Sequence, residues 1–173
     1  MSRLRLAGMV LGGLGVALLG IGALRLFDGS ETAASSDAAT TGPSITLRST
    51  RAAGAPFSGL QEARIEVGGR TLRVVLARSE VERREGLRQR RDLGPYAGML
   101  FVFPAPTTVA FTMSTVPVAL DIGFYGDDGT VVTTLRMEPC PGPESQCPLY
   151  ESTGRFRYAL ETPAGALPPG PLG

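Results

Sequence analysis

The stretch "ARIEVGGRTLRVVLA", Ala63 to Ala77, constrains the chain more than any other. Apolar residues alternate with polar ones on each side of Gly68-Gly69. Ala63, Ile65 and Val67 fall on one face of the first arm, and Leu72, Val74 and Leu76 fall on a matching face of the second. A period of two is the signature of a half-buried strand. A two-residue Gly-Gly loop supplies positive φ at both central positions, as the tight hairpin turn requires. The chain is therefore committed to an antiparallel β-hairpin.

The rest of the carboxyl-terminal half follows the same style. "SEVERREGL" pairs Ser79 with Glu82 as a capping box and places Gly86 as a stop, which predicts one short helix. Strands are expected at Met99–Phe103, Val109–Met113, Leu120–Tyr125, Thr130–Met137 and Arg155–Glu161, with "GDDG" as the turn between the third and fourth. In the last of these, Phe156, Tyr158 and Leu160 are expected on one face. That turn lacks the spaced ligands and terminal Glu of a calcium loop. Several short strands separated by turns predict a mainly β domain, a small β-sandwich or barrel-like fold with one short helix. The five arginines Arg83, Arg84, Arg88, Arg90 and Arg91, offset by neighbouring acids, read as a solvated face.

The amino-terminal part is different. Arg3 and Arg5 precede an uncharged, mostly apolar run from Leu6 to Leu24. At about 1.5 Å per residue, such a helix approaches the ~30 Å hydrocarbon thickness of a bilayer. Residues 1–27 are thus expected to be a transmembrane helix, with a signal segment as the rival reading. The leading arginines favour a cytoplasmic amino terminus and put the domain outside the cytoplasm. Residues 28–59 are rich in Ser, Thr, Ala and Gly without hydrophobic period, so they read as a flexible tether. The globular domain is expected over 60–173.

Composition narrows the chemistry. The 173 residues carry a formal net charge of +1, which gives no pull toward nucleic acid. There is no His, Lys, Trp or Asn in the chain. That excludes histidine-dependent nucleophilic catalysis, imidazole metal ligation and lysine Schiff bases. No cofactor or metal is implied. Cys140 and Cys147 are not spaced as a metal or thioredoxin-like pair. In an oxidising compartment a local disulfide is the simple reading, with a redox-active pair as the alternative.

One acid stands out. Asp121 lies within "GMLFVFPAPTTVAFTMSTVPVALDIGFY", Gly98 to Tyr125, and is the single ionisable acid in that apolar stretch. A buried acid costs free energy unless it is paired or hydrogen-bonded. Its carboxylate either accepts hydrogen bonds from an Arg or from backbone N–H groups, or it lines a polar cleft with Ser114, Thr115 and Glu161. Glu161 itself also reads as a strand-end acid in an exposed ion pair.

"REGLRQRRDLGPYAGMLFVF", "FTMSTVPVALDIGFYGDDGTVV", "MEPCPGPESQCPLY" and "YALETPAG" occur in that order. Together they resemble the bacterial and archaeal family catalogued as domain of unknown function 192, over about Arg73 to Gly165. The resemblance implies a compact, mostly β domain with a short helix, often behind a signal or anchor, and it implies no established activity. Gly98, Met99, Met113, Asp121 and Glu161 match the family's motif positions. The family commonly carries Trp-Met-Lys-Asn-Thr where this chain has Thr112-Met113-Ser114-Thr115-Val116. If the Lys-Asn pair serves a site, Ser114 and Thr115 alter it here. "ALPPGPLG" also stops where relatives continue into a further strand.

Three functions are compatible with these features. The first is a membrane-tethered extracytoplasmic binding or accessory module for a small ligand or an envelope protein, with Asp121, Ser114, Thr115, Met113 and Glu161 as candidate ligand-binding residues. The second is a carboxylate-dependent hydrolase, which needs Asp121 and Glu161 within about 10 Å across a cleft. The third is an interaction protein that adds a strand at an open sheet edge.

Overall fold

The computed structural model describes residue 45 and residues 47–173. The segment 1–27 expected to span a membrane, and 28–44 of the expected tether, lie outside the described residues. Among the described residues no helix is long and apolar enough to cross a membrane. The elements are β1 (Arg48–Ala52), β2 (Gln61–Val67), β3 (Arg70–Ala77), α1 (Glu80–Glu85), β4 (Gly98–Thr107), β5 (Phe111–Thr112), β6 (Leu120–Tyr125), β7 (Val131–Met137), β8 (Leu149–Tyr150) and β9 (Phe156–Pro163), with a 3-10 turn at Glu144–Gln146. One sheet of seven strands runs in the order β1-β2-β3-β4-β9-β6-β7, and β5 pairs with β8 apart from it.

The hairpin forms as its pattern dictates. Val67 pairs with Arg70, and Gly68 and Gly69 take φ of +54° and +78°. The helix follows with its capping box intact. Ser79 Oγ accepts from the Glu82 N–H at 3.2 Å, and Glu82 accepts from the Ser79 N–H at 2.8 Å. The helix is the crossover between β3 and β4, which run parallel. β4 is buried on both faces along its first four residues, which explains its unbroken "GMLF" run.

The two faces of the sheet carry two cores. Ile65, Val67, Val74, Leu76, Leu100 and Leu160 fill one. Met99, Phe101, Ile122, Phe124 and Ala159 fill the other, covered by Leu87, Met113 and Val116. Phe156 packs in the second core, although Tyr158 and Leu160 pack in the first. This corrects the expected single face. The β4–β9 register breaks between Val102 and Thr107, opposite Pro104 and Pro106, and the break turns Phe156 over. The expected strand over Val109–Met113 shrinks to the two residues of β5.

The ends of the sheet are drawn together by the carboxyl-terminal residues. β1 pairs with only the first half of β2, from Gln61 to Arg64. Residues 171–173 cover the second half. Glu66 and Gly173 exchange backbone hydrogen bonds of 3.1 and 2.9 Å, and Gly68 N–H donates to Pro171 O at 2.9 Å. Leu172 N–H in turn donates to Gly129 O, in the β6–β7 turn, at 2.9 Å. This strap links the open part of the β2 edge to the β6–β7 turn.

The expected tether is corrected over part of its length. β1 falls inside it, and so do Ala53 and Phe57, both core residues. Phe57 is 1% exposed and meets Tyr96 edge-on at 5.7 Å. Burying one such ring contributes about 1.5–3 kcal/mol. Composition hid this because Thr50, Arg51 and Ala52 of β1 are exposed. The strand is held by edge pairing and leaves no alternation to read. A polar knot fixes it further. Glu62 on β2, 3% exposed, receives Arg51 Nε at 2.6 Å, Arg73 Nε at 3.0 Å and Nη2 at 2.6 Å, and the Tyr96 hydroxyl at 2.7 Å. Tyr96 Oη also accepts the Gly54 N–H at 2.8 Å. The Arg73 and Tyr96 hydrogen bonds, with help from Arg51, outweigh desolvation and hold the Glu62 carboxyl down at about 2.

Candidate functional site

A row of Cα partners crosses the sheet: Glu62, Val75, Met99, Glu161, Ile122 and Leu135. Two glutamates thus point from the same face, three strands apart, or about 14 Å at the usual strand spacing. One is the knotted Glu62. The other, Glu161, faces a groove of 620 Å³ between α1 and the β4–β5 segment.

Glu161 is 5% exposed, so the expected surface ion pair does not exist. Among the described residues, no side chain or N–H donates to its carboxyl. Desolvation alone pushes it up to about 8. β9 holds it rigidly in mid-sheet between β4 and β6. The close strand approach explains Gly98: a Cβ there would lie 2.1 Å from the Glu161 carbonyl oxygen.

The walls of the groove are mainly apolar. Leu87 comes from the loop after α1, Phe101 and Phe103 from β4, Phe111 from β5 and Val116 from the loop beyond it. Phe101 and Phe111 meet edge-on at 5.1 Å. Arginines stand among the lining residues too. Arg83 lies over the Phe103 ring at 4.9 Å and donates to the carbonyls of Arg78 and Val102. Arg84 pairs with Glu80 at 2.7 Å. Arg88 donates to Ser114 O at 3.1 Å and to Glu144 Oε2 at 2.9 Å. The sequence reading of these arginines as a solvated face missed Arg83 and Arg88. Both lie on the inner side of the α1 segment, a spacing that only the packed helix reveals.

The other candidates lie elsewhere. Asp121 shares a row with Thr162 and Arg136, one residue out of step with Glu161, so the two acids point to opposite faces of the sheet. That geometry removes the acid/base pair on which the hydrolase reading depended. Asp121 exposes 16% of its side chain. It pairs with Arg136 and accepts the Gly165 N–H at 2.5 Å. Desolvation pushes its pKa up, but the Arg136 hydrogen bond and charge and the Gly165 N–H outweigh it, and the net shift is downward. Beside it lies a hollow of 300 Å³ bordered by Leu167, Pro168 and Pro169, yet its carboxylate already has its donors. Asp121 ties the turn after β9 to β6.

Met113 is fully buried in the core. Ser114 Oγ donates to Gly142 O at 3.1 Å, and Thr115 N–H donates to Cys140 O at 2.8 Å. None of the three lines the groove. Thr115 takes φ +60°, in the left-handed region. Asn tolerates that region and β-branched residues do not.

Cys140 and Cys147 are joined, with Cα atoms 5.8 Å apart. Their loop holds the 3-10 turn that presents Glu144 to Arg88, so the disulfide braces one side of the groove mouth. Among the described residues, no three His, Cys, Asp or Glu side chains converge to hold a metal ion.

The fold, the helix and the motif positions agree with one family. Residues 63–168 match the profile of DUF192, described as an uncharacterized ACR. The chain belongs to this family. Among solved structures, it is similar to a protein of unknown function from Novosphingobium aromaticivorans DSM 12444. That structure is 28% identical with a TM-score of 0.60, and the match covers 72% of this chain and 92% of that one. It is also similar to a Sinorhizobium meliloti 1021 protein assigned provisionally as a transcription regulator. Here identity is 33%, the TM-score 0.53, and coverage 64% of this chain and 89% of that one. A search of curated proteins gives no match.

Proposed function

We propose that the domain is a small-molecule binding module, tethered to the membrane by residues 1–27 and exposed outside the cytoplasm, whose ligand occupies the groove beside α1. The observation that carries this reading is Glu161. A carboxyl without a protein partner, nine-tenths buried in a mostly apolar wall, is costly, and a ligand in the groove can supply the donor it lacks. Concave, mostly apolar sites with a few convergent polar groups are the usual form of small-molecule sites. The Cys140–Cys147 bond and the apolar run from Leu6 to Leu24 support the location.

Two measurements test it. Native mass spectrometry of the full chain with a library of small apolar-bodied compounds is expected to yield ligands. Their binding is expected to vanish in Ala110→Trp, which fills the groove, with an unchanged melting temperature. Alkaline extraction, and protease treatment of cells whose outer envelope is opened but whose cytoplasmic membrane is sealed, are expected to find the chain in the membrane and its domain accessible from the non-cytoplasmic side. Ligands that still bind Ala110→Trp, or a protease-protected domain, would each remove the corresponding half.

A further inference from the structure

We infer that the groove takes an organic ammonium ion with an apolar body, and that the Glu161 carboxylate is its counter-ion. The inference rests on the binding-module reading and adds the ligand class.

Charge accounting in the walls leads there. Arg84 is neutralised by Glu80 and Arg88 by Glu144. Glu85 faces Arg90 at 4.0 Å. Arg83 is spent on a phenyl face and two carbonyls. Among the lining charges, Glu161 alone has neither an ion-pair nor a hydrogen-bond partner, and it is an acid. The one buried acid in the wall has no donor, and a cation is the partner that an ionised carboxylate holds most strongly. A ligand carboxylate gains no ion pair from Glu161, which stays protonated against it.

The walls suit the same ligand. Phe101 and Phe111 line the same groove as Glu161 and offer aromatic and apolar surface. Aromatic faces attract desolvated ammonium groups, more strongly when water is excluded. The alkyl or aryl body of the ligand then lies along Leu87 and Val116.

Binding must move a proton. With its pKa raised to about 8, the unliganded acid is mostly protonated at pH 7. When the ammonium enters, the carboxyl O–H proton leaves to solvent and the carboxylate remains against the N–H groups. The ligand keeps its own proton, so charge and protons balance. Affinity therefore rises with pH, about tenfold per unit below pH 8.

Isothermal titration of the full chain with n-hexylammonium, n-hexanol and n-hexanoate tests this. The ammonium is expected to bind at least about tenfold tighter than hexanol, with hexanoate weakest. Comparing buffers of different ionisation enthalpy is expected to show release of about one proton per ammonium bound at pH 7. Glu161→Gln keeps the shape and is expected to abolish both the preference and the proton release while still binding hexanol. Hexanol or hexanoate binding as tightly as the ammonium overturns the ligand class and leaves the groove reading standing. Ammonium binding without proton release, or with the preference retained in Glu161→Gln, overturns the role of Glu161. No binding of any of the three probes overturns the groove reading itself.

Discussion

Glu62 and Glu161 lie in one row of one sheet face and have opposite fates. Glu62 is buried with two arginines and a tyrosine aimed at it, and its pKa falls to about 2. Glu161 is buried among phenylalanines and a methionine, and its pKa rises to about 8. Both carboxyls are shielded from solvent, Glu161 in the more strongly desolvating surroundings, yet shielding alone does not decide the charge. The supply of donors does. The first region is finished internally. The second is complementary to something that is not part of the chain.

The largest effect is expected from breaking the finished region. Glu62→Ala strands Arg51, Arg73 and the Tyr96 hydroxyl without their acceptor and loosens β1. The melting temperature is expected to fall by roughly 10 °C or more. A small change would mean that the knot is ornamental. The pH dependence has a definite sign. Because the folded pKa of Glu62 lies below its ordinary 4.5, its contribution is present above about pH 4.5 and lost as pH falls toward 2.

Glu161→Gln sharpens the contrast from the other side. The folded pKa of Glu161 is raised, so its ionisation opposes folding. Wild-type stability from this group is therefore expected to decline as pH rises from 4.5 to 8. The variant is expected to match wild type near pH 4 and to melt roughly 10 °C or more higher at pH 8. Superimposed melting curves at pH 8 would show that Glu161 has a partner in solution.

Much of this was legible beforehand and some was not. The Gly68-Gly69 hairpin, the Ser79–Glu82 cap and β6 are written in local patterns, and local geometry enforces them. β1 is not, since an exposed edge strand depends on β2 for its hydrogen bonds. Asp121 drew attention because it is surrounded by apolar neighbours in sequence, yet Arg136 sits directly across from it. Glu161 reads only as a companion of Asp121 or as an exposed strand-end acid, because nothing local shows that its side chain lies on the opposite face from Asp121. The groove requires α1, β4 and the disulfide loop to converge, and no local period encodes that convergence.

Asp121 is intermediate between the two glutamates, half finished by an arginine that is itself half exposed. Asp121→Ala is expected to cost about 1 kcal/mol, with Asp121→Asn milder, in a denaturant titration. A larger loss would place it with Glu62. The smallest effect tests the loop behind the groove. Thr115→Asn suits the left-handed backbone at φ +60° and is expected to stabilise by about 0.5–1 kcal/mol with ligand affinity unchanged. Lost affinity would show that Thr115 serves the site after all.

The strap formed by residues 171–173 has a kinetic meaning. It closes onto β2 across more than a hundred residues of intervening chain. Such a contact raises the contact order and brings no local reward while it waits to form. Until it does, the Glu66–Gly68 edge of the hairpin stays open to any other strand within reach. The slowest step of folding should therefore be the seating of this strap. Until then nascent chains are open to edge-to-edge pairing along this edge.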